Sequence, residues 1–141
     1  MKKIKLIPEE NLSDNIIGIS SLHQDFQIAW SLNKVLEISL KKTQDISIRL
    51  KKGSDIGTYS FSLFSHIDLD ENYFYLLSNK NKGANLYPKY KNIDYFLIIK
   101  SEETSTTIIS KKIMGIDFML GSFLIPVNSI LTKIINKVFE N

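Results

Sequence analysis

The sequence predicts an α+β domain: an antiparallel or mixed sheet of five to six strands, with about three helices packed mainly on one face. Three observations carry this. Segments of two-residue apolar period follow one another through the middle of the chain with short links and no helical stretch between them. That is the pattern of sequential antiparallel strands, whereas a doubly wound parallel sheet needs a helix after each strand. Three other segments carry apolar residues at helical spacing. Finally, 141 residues with 43% hydrophobic content suit one domain over 1–141, because a chain of this size buries roughly two-thirds of its unfolded surface in one core.

The elements follow in order. Met1 to Ile7 starts with positive charge but has neither the apolar stretch nor the small-residue cleavage site of a signal peptide. Its Ile4/Leu6 alternation predicts a short strand, and the expected location is the cytoplasm. After the polar break 8–15, Ile16-Ile17-Gly18-Ile19 predicts a strand. Ser21 and Gln24 fit a capping box that opens a helix from about Leu22 to Leu36. Phe26, Ala29, Leu32, Val35 and Leu36 form its buried stripe, flanked by His23 and Trp30. Ile46, Ile48 and Leu50 alternate with Ser47 and Arg49, and Tyr59, Phe61 and Leu63 alternate with serines, which predicts two strands around the turn at 51–55. His66 to Asn72 reads as a hairpin loop and Tyr73 to Ser78 as a strand. Residues 79–85 read as a mobile polar loop. Ile93 to Lys100 is apolar on both sides of the pleat, which predicts a central strand.

Ser101-Glu102-Glu103-Thr104 predicts the start of a second helix with Ile109, Ile113 and Ile116 inward, Lys111 and Lys112 in its last turn and Gly115 at its end. Phe118 to Ile125 predicts a further strand. Asn128 or Ser129 caps a last helix whose wide apolar face includes Ile130, Leu131, Ile134, Ile135, Val138 and Phe139. That face either covers its own sheet or docks on a partner.

Composition excludes several classes of function. The absence of cysteine excludes disulfide scaffolds, thiolate metal sites and cysteine nucleophiles. No apolar run reaches the length of a spanning helix, so no membrane association is predicted. Net charge is +3, and Arg49 is the single arginine, a poor endowment for base readout, which leans on the guanidinium fork. His66-x-Asp68-x-Asp70 would place three side chains on one face of an extended chain, but lacks the glycine and terminal Glu of a calcium loop. There is no nucleophile elbow and no phosphate-cradling glycine loop. No catalytic residue, metal or cofactor is therefore predicted. Lys80, Lys82, Tyr87, Lys89, Tyr90 and Lys91 crowd one loop and form a candidate ligand or RNA contact, since Lys attracts phosphate and Tyr stacks on bases.

Leu86-Tyr87-Pro88-Lys89-Tyr90-Lys91-Asn92-Ile93-Asp94-Tyr95 resembles the signature of the IPExxxVDY family, small proteins of the Bacteroidetes lineage with no assigned activity. Pro88, Asp94 and Tyr95 coincide with it and Ile93 stands for its Val. Tyr87 stands where the family has Ile, and Lys89 where it has Glu. Ser20 to Leu40, with Trp30, Leu32 and Asn33, is similar to the family's N-terminal helix region. The resemblance implies a cytoplasmic bacterial protein and supplies no mechanism. The residues themselves point to an architectural role: Pro88 biases Tyr87 to an extended conformation, Asp94 accepts N–H bonds at the strand's start, and Tyr95 packs over Pro88 or a neighbouring strand. By elimination, the expected function is that of a small non-catalytic protein-binding or adaptor domain, with a protein partner or self-association. An RNA-associated role through residues 80–91 is the alternative, and a small enzyme the second alternative.

Overall fold

The computed structural model describes residues 16–101, 105–126 and 129–140. Ten strands and three helices lie among them: β1 (Ile16–Ser20), α1 (Asp25–Leu36), β2 (Lys41–Lys42), β3 (Ile46–Lys52), β4 (Asp55–Phe61), β5 (Leu63–Ile67), β6 (Tyr73–Ser78), β7 (Lys80–Asn81), β8 (Ala84–Asn85), β9 (Tyr95–Lys100), α2 (Thr106–Met114), β10 (Gly121–Leu124) and α3 (Ser129–Glu140). Six strands make one antiparallel sheet in the order β10-β1-β9-β6-β5-β2. The fold is α+β, as the spacing of apolar residues predicts.

The sheet has a core on each side. In β9 the pleat sends Phe96 and Ile98 to one face and Tyr95, Leu97 and Ile99 to the other. β9 pairs with β1 on one flank and β6 on the other, the central position its two-sided apolar pattern calls for. α1 and α2 cover one face through Ile28, Ala29, Leu32, Ile109 and Ile113. The other face is covered by α3 through Ile134, Ile135 and Val138, by the β3–β4 hairpin through Ile46 and Phe61, and by Leu86, Tyr87 and Ile93. The described apolar residues of the last helix are thus used at home, over its own sheet.

Several boundaries differ from the sequence expectation, each for a local reason. The alternation across Tyr59–Leu63 is not one strand. It breaks at Ser62, where the chain leaves the hairpin and enters the main sheet as β5. His66 belongs to β5, and the turn that follows is organised by Asp68, whose carboxylate accepts the N–H groups of Asp70 (2.9 Å) and Asn72 (3.0 Å). Residues 79–85 are no loose loop: Lys82 (φ 51°) and Gly83 (φ 83°) form the two-residue turn of the β7–β8 hairpin, the backbone required for a type I′ link. α1 starts three residues later than expected. Gln24 is its N-cap, with its N–H donating to Gln27 Oε1 at 2.9 Å, while Ser21 Oγ accepts from His23 N–H at 3.2 Å. α2 starts at Thr106, and Ser105 Oγ accepts from Ile108 N–H. β10 occupies only the middle of the stretch predicted from Phe118 to Ile125. The expected strand at 4–7, the Glu102–Glu103 helix start, the Asn128 cap and the side chains of Ile130, Leu131 and Phe139 lie outside the described residues.

Gly18 in β1 is a point of close approach. A Cβ there would come 2.8 Å from Ile93 Cδ1 and 2.9 Å from Ile125 Cδ1, two buried side chains. Gly18→Val is expected to overpack this contact and lower stability by about 1–3 kcal/mol, read as a shifted urea midpoint; a midpoint equal to that of the wild type would show that both isoleucines move aside freely.

Candidate functional site

The residues that carry the sequence motif converge on one end of the sheet, where β6 ends, β9 begins and α1 starts. Their organiser is Asn79, which is 0% exposed. Its Nδ2 donates to the carbonyls of Tyr90 (3.0 Å) and Ile93 (2.8 Å), and its Oδ1 accepts from Tyr87 N–H (2.8 Å). Its own N–H donates to Asp94 O (2.9 Å), and its carbonyl accepts from Leu86 N–H (2.7 Å). One side chain and its peptide groups thereby hold both ends of the irregular segment 86–93. Nothing in the periodicity singles Asn79 out, because Asn is an ordinary loop residue and only burial makes it an organiser.

Asp94 sits at the start of β9, but its carboxylate reaches the β1–α1 link and not its own loop. Oδ2 accepts from Ser21 N–H at 2.9 Å and Oδ1 pairs with Lys80 Nζ at 2.8 Å. Asp94 N–H donates to Ile19 O (2.8 Å), and Ser20 Oγ donates to the Asn92 carbonyl. Tyr95 points to the face opposite the Pro88 loop. Its hydroxyl donates to His23 O at 2.6 Å, and the His23 ring stacks on Phe118 at 4.0 Å. Burial, then the nearby Asp25 and Asp94 carboxylates, push the Tyr95 phenol up to about 12. It therefore stays a neutral donor across the ordinary pH range.

The candidate contact residues are distributed unequally. Tyr87 is buried in the core, edge-on to the half-buried Tyr90 at 5.3 Å; no base has access to the Tyr87 ring. Lys80 is committed to Asp94. Pro88, Lys89, Lys91 and Lys82 are exposed, with Lys89 Nζ 5.8 Å from the Tyr90 ring centre. An open polar cleft of about 320 Å3 lies nearby, lined by Gln24, Asp25, Asp45, Lys80, Asn81 and Tyr95 among others. Its charges are partly spent: Asp45 pairs with Lys42, and Lys80 with Asp94.

His66 lies elsewhere, on β5. Its Nδ1 accepts from Ser39 N–H at 3.1 Å, and its Nε2 stands 4.0 Å from Asp68 Oδ2. Hydrogen bonds from the Asn72 backbone and side chain hold the Asp68 carboxyl below its ordinary value. Among the described residues, no three His, Asp or Glu side chains converge as a metal-binding group.

α1 carries a second feature. Phe26 and Trp30, one turn apart on its outer side, are 57% and 65% exposed, and Leu22, in the link just before the helix, is 88% exposed. Periodicity places Phe26 in the buried stripe; the structure turns it outward, because Ile28, Ala29 and Leu32 fill the inner face. Lys34 continues the row, its Nζ 5.3 Å from the Trp30 ring centre. The signal was present as the i, i+4 pair Phe26 and Trp30, distinct from the core stripe.

No protein-family model, curated protein or solved structure matches the chain.

Two predictions follow from the hydrogen-bond geometry. Asn79→Ala is expected to cost about 3 kcal/mol by removing three hydrogen bonds to the 86–93 segment, two of them to buried groups, while the Tyr90 carbonyl keeps its bond from Ile93 N–H. Asp94→Ala should cost about 0.5–2 kcal/mol, like a lost cap, and Lys80→Ala less than about 1 kcal/mol, since that pair is partly exposed. Chemical denaturation checks the order, and an Asn79 variant milder than the Asp94 variant would refute it. For Tyr95, the folded-state value lies above the unfolded value near 10, so its contribution is intact below pH 10 and is lost as pH rises towards 12. Tyr95→Phe should flatten this alkaline fall in melting temperature; an unchanged alkaline slope would assign the fall to other groups.

Proposed function

We propose that this chain is a small, non-catalytic, cytoplasmic protein-binding domain whose contact surface is the outer face of α1. The observation that carries the reading is the exposed pair Phe26 and Trp30 on α1, with exposed Leu22 in the link before it. Large apolar side chains aligned on the solvent side of a helix mark interaction surfaces, and rigid aromatics are the residues on which binding energy concentrates. Lys34, lying over Trp30, completes the surface with a positive charge. The complementary partner is a polypeptide face with apolar side chains and an acidic group opposite Lys34.

The proposal places the motif in a supporting role. Pro88, Ile93, Asp94 and Tyr95 surround the Asn79 network and tie the β9 start to the α1 entrance through Ser21 and His23. Grouping the chain with the IPExxxVDY family rests on the sequence resemblance at Pro88, Ile93, Asp94 and Tyr95. The contacts through Ser21 and His23 also tie the motif to the binding face, since they set where α1 begins. The RNA-associated alternative has less behind it, with Tyr87 buried and Lys80 paired.

The test compares binding of the wild-type chain with that of Phe26→Lys/Trp30→Lys, and of Ile56→Lys as a control at an exposed position on the β3–β4 hairpin. A partner cross-linked from the native host is purified and titrated against each. Binding is expected to weaken more than about 100-fold for the double variant, equivalent to about 2.7 kcal/mol, and to be unchanged for the control, with melting temperatures alike. Trp30 is the only tryptophan, so its emission should shift to the blue as the wild-type complex forms. Equal affinity of the double variant, or retention of poly-U at low salt in place of a protein, would overturn the reading.

A further inference from the structure

The two edges of the six-stranded sheet are built differently. At one edge, β2 has two residues, Lys41 and Lys42, both exposed. A very short strand carrying lysines is how proteins protect a sheet edge from pairing. At the other edge, β10 carries no such protection. No described strand pairs with its outer side, and Leu120, Phe123 and Leu124 are 65%, 51% and 49% exposed.

The register states which backbone groups are open. Ile125 N–H donates to Ile16 O at 2.9 Å, and β1 pairs Gly18 with Phe123 two residues on. Hydrogen-bonded and non-hydrogen-bonded pairs alternate along an antiparallel ladder. Phe123 therefore bonds inward to Gly18, while the N–H and C=O of Ser122 and Leu124 point outward. Pro126 has no N–H to offer, so the open ladder ends at Leu124.

We propose that β10 pairs antiparallel with β10 of a second copy of this chain, joining two sheets across a two-fold axis at Phe123. In that register Ser122 of each copy exchanges both hydrogen bonds with Leu124 of the other. The two Phe123 residues meet as a non-hydrogen-bonded pair, the position where cross-strand side chains come closest. Gly121 makes room for the aromatic side chain: a Cβ there would lie 2.6 Å from two carbons of the Phe123 ring, so the ring leans over Gly121 of its own strand. Leu120, just before the strand and with its N–H turned inward to Ser20 O, flanks this contact.

Area favours a modest dimer. Met114 lies on the β10 side of α2, next to Ser110, whose hydroxyl bonds that of Ser122 at 2.6 Å, and is 47% exposed. With Leu120, Phe123 and Leu124 this gives four large side chains per copy. At on the order of 100 Å2 each, two copies supply about 800 Å2 of apolar surface, and backbone and flanking polar atoms bring the total to roughly 1,000 Å2, the size of a weak specific interface. The interface is isologous and consumes the β10 edge of the six-stranded sheet. The lysines of β2 then leave nothing for a third sheet to extend, so assembly stops at two.

The experiment uses the full chain. Sedimentation velocity over a concentration series should show a monomer at low micromolar concentration converting to a dimer at higher concentration. Phe123→Lys, which sets two charges face to face, should stay monomeric while keeping the wild-type melting temperature. The chain has no cysteine, so a single introduced thiol reports the register. Under mild oxidation Phe123→Cys should form a disulfide-linked dimer at least 10-fold faster than Leu69→Cys, whose site is fully exposed in the β5–β6 turn. A wild-type chain monomeric up to about 0.5 mM, or equal cross-linking of the two thiol variants, overturns the proposal. A dimer that survives Phe123→Lys overturns it as well. None of these outcomes bears on the α1 surface, which lies on a different element.

Discussion

The buried amide of Asn79 is the contact on which the motif end of the molecule depends. The segment 86–93 has no strand or helix of its own, yet its apolar residues Leu86, Tyr87 and Ile93 belong to the core over the sheet. Irregular chain can enter a core only if its peptide groups find partners there. Asn79 supplies them from one position: a donor to two carbonyls and an acceptor for one N–H from its side chain, with two more bonds through its own backbone. With that segment held, Asp94 and Tyr95 are aimed at Ser21 and His23, and the entrance of α1 is set.

This ordering gives the motif residues Asp94 and Tyr95 structural partners. A carboxylate beside a lysine, a tyrosine and a histidine look like chemistry when written in a row. In space each is engaged in a backbone contact, an ion pair or a ring stack. The Tyr95 phenol is held neutral by burial and by the carboxylates around it, the opposite of what a general base requires. The surfaces proposed for association lie elsewhere, on the outer side of α1 and on the side of β10 that no described strand pairs.

Much of this was legible from residue spacing. The α+β class, the central place of β9, the three helices, the strand alternation of β3 and the strand at β6 all follow from period and punctuation. What escaped did so for physical reasons. Asn79 is a polar residue in a polar stretch, and its importance comes from burial among groups distant in sequence. Phe26 fits a helical stripe, but a helix with two apolar rows offers two candidates for the inner one, and packing chose Ile28 and Leu32. The Lys80–Asn85 stretch looked loose because its composition is that of a loop. Lys82 and Gly83 at positive φ fold it into a hairpin, a conformation that only Gly83 announces. Ser62 breaks an uninterrupted alternation because the chain changes sheets there, a tertiary event with no local cause.

The alternation along β9 has a further consequence for how the molecule comes apart. Phe96 and Ile98 are shared with one core, Leu97 and Ile99 with the other, so neither layer has a central strand to itself. A shift of that strand by one residue would exchange its contributions to both layers at once. Loosening either layer also withdraws support from the strand that organises the opposite one. The two cores are therefore thermodynamically one cooperative unit, despite being separated by the full thickness of a sheet.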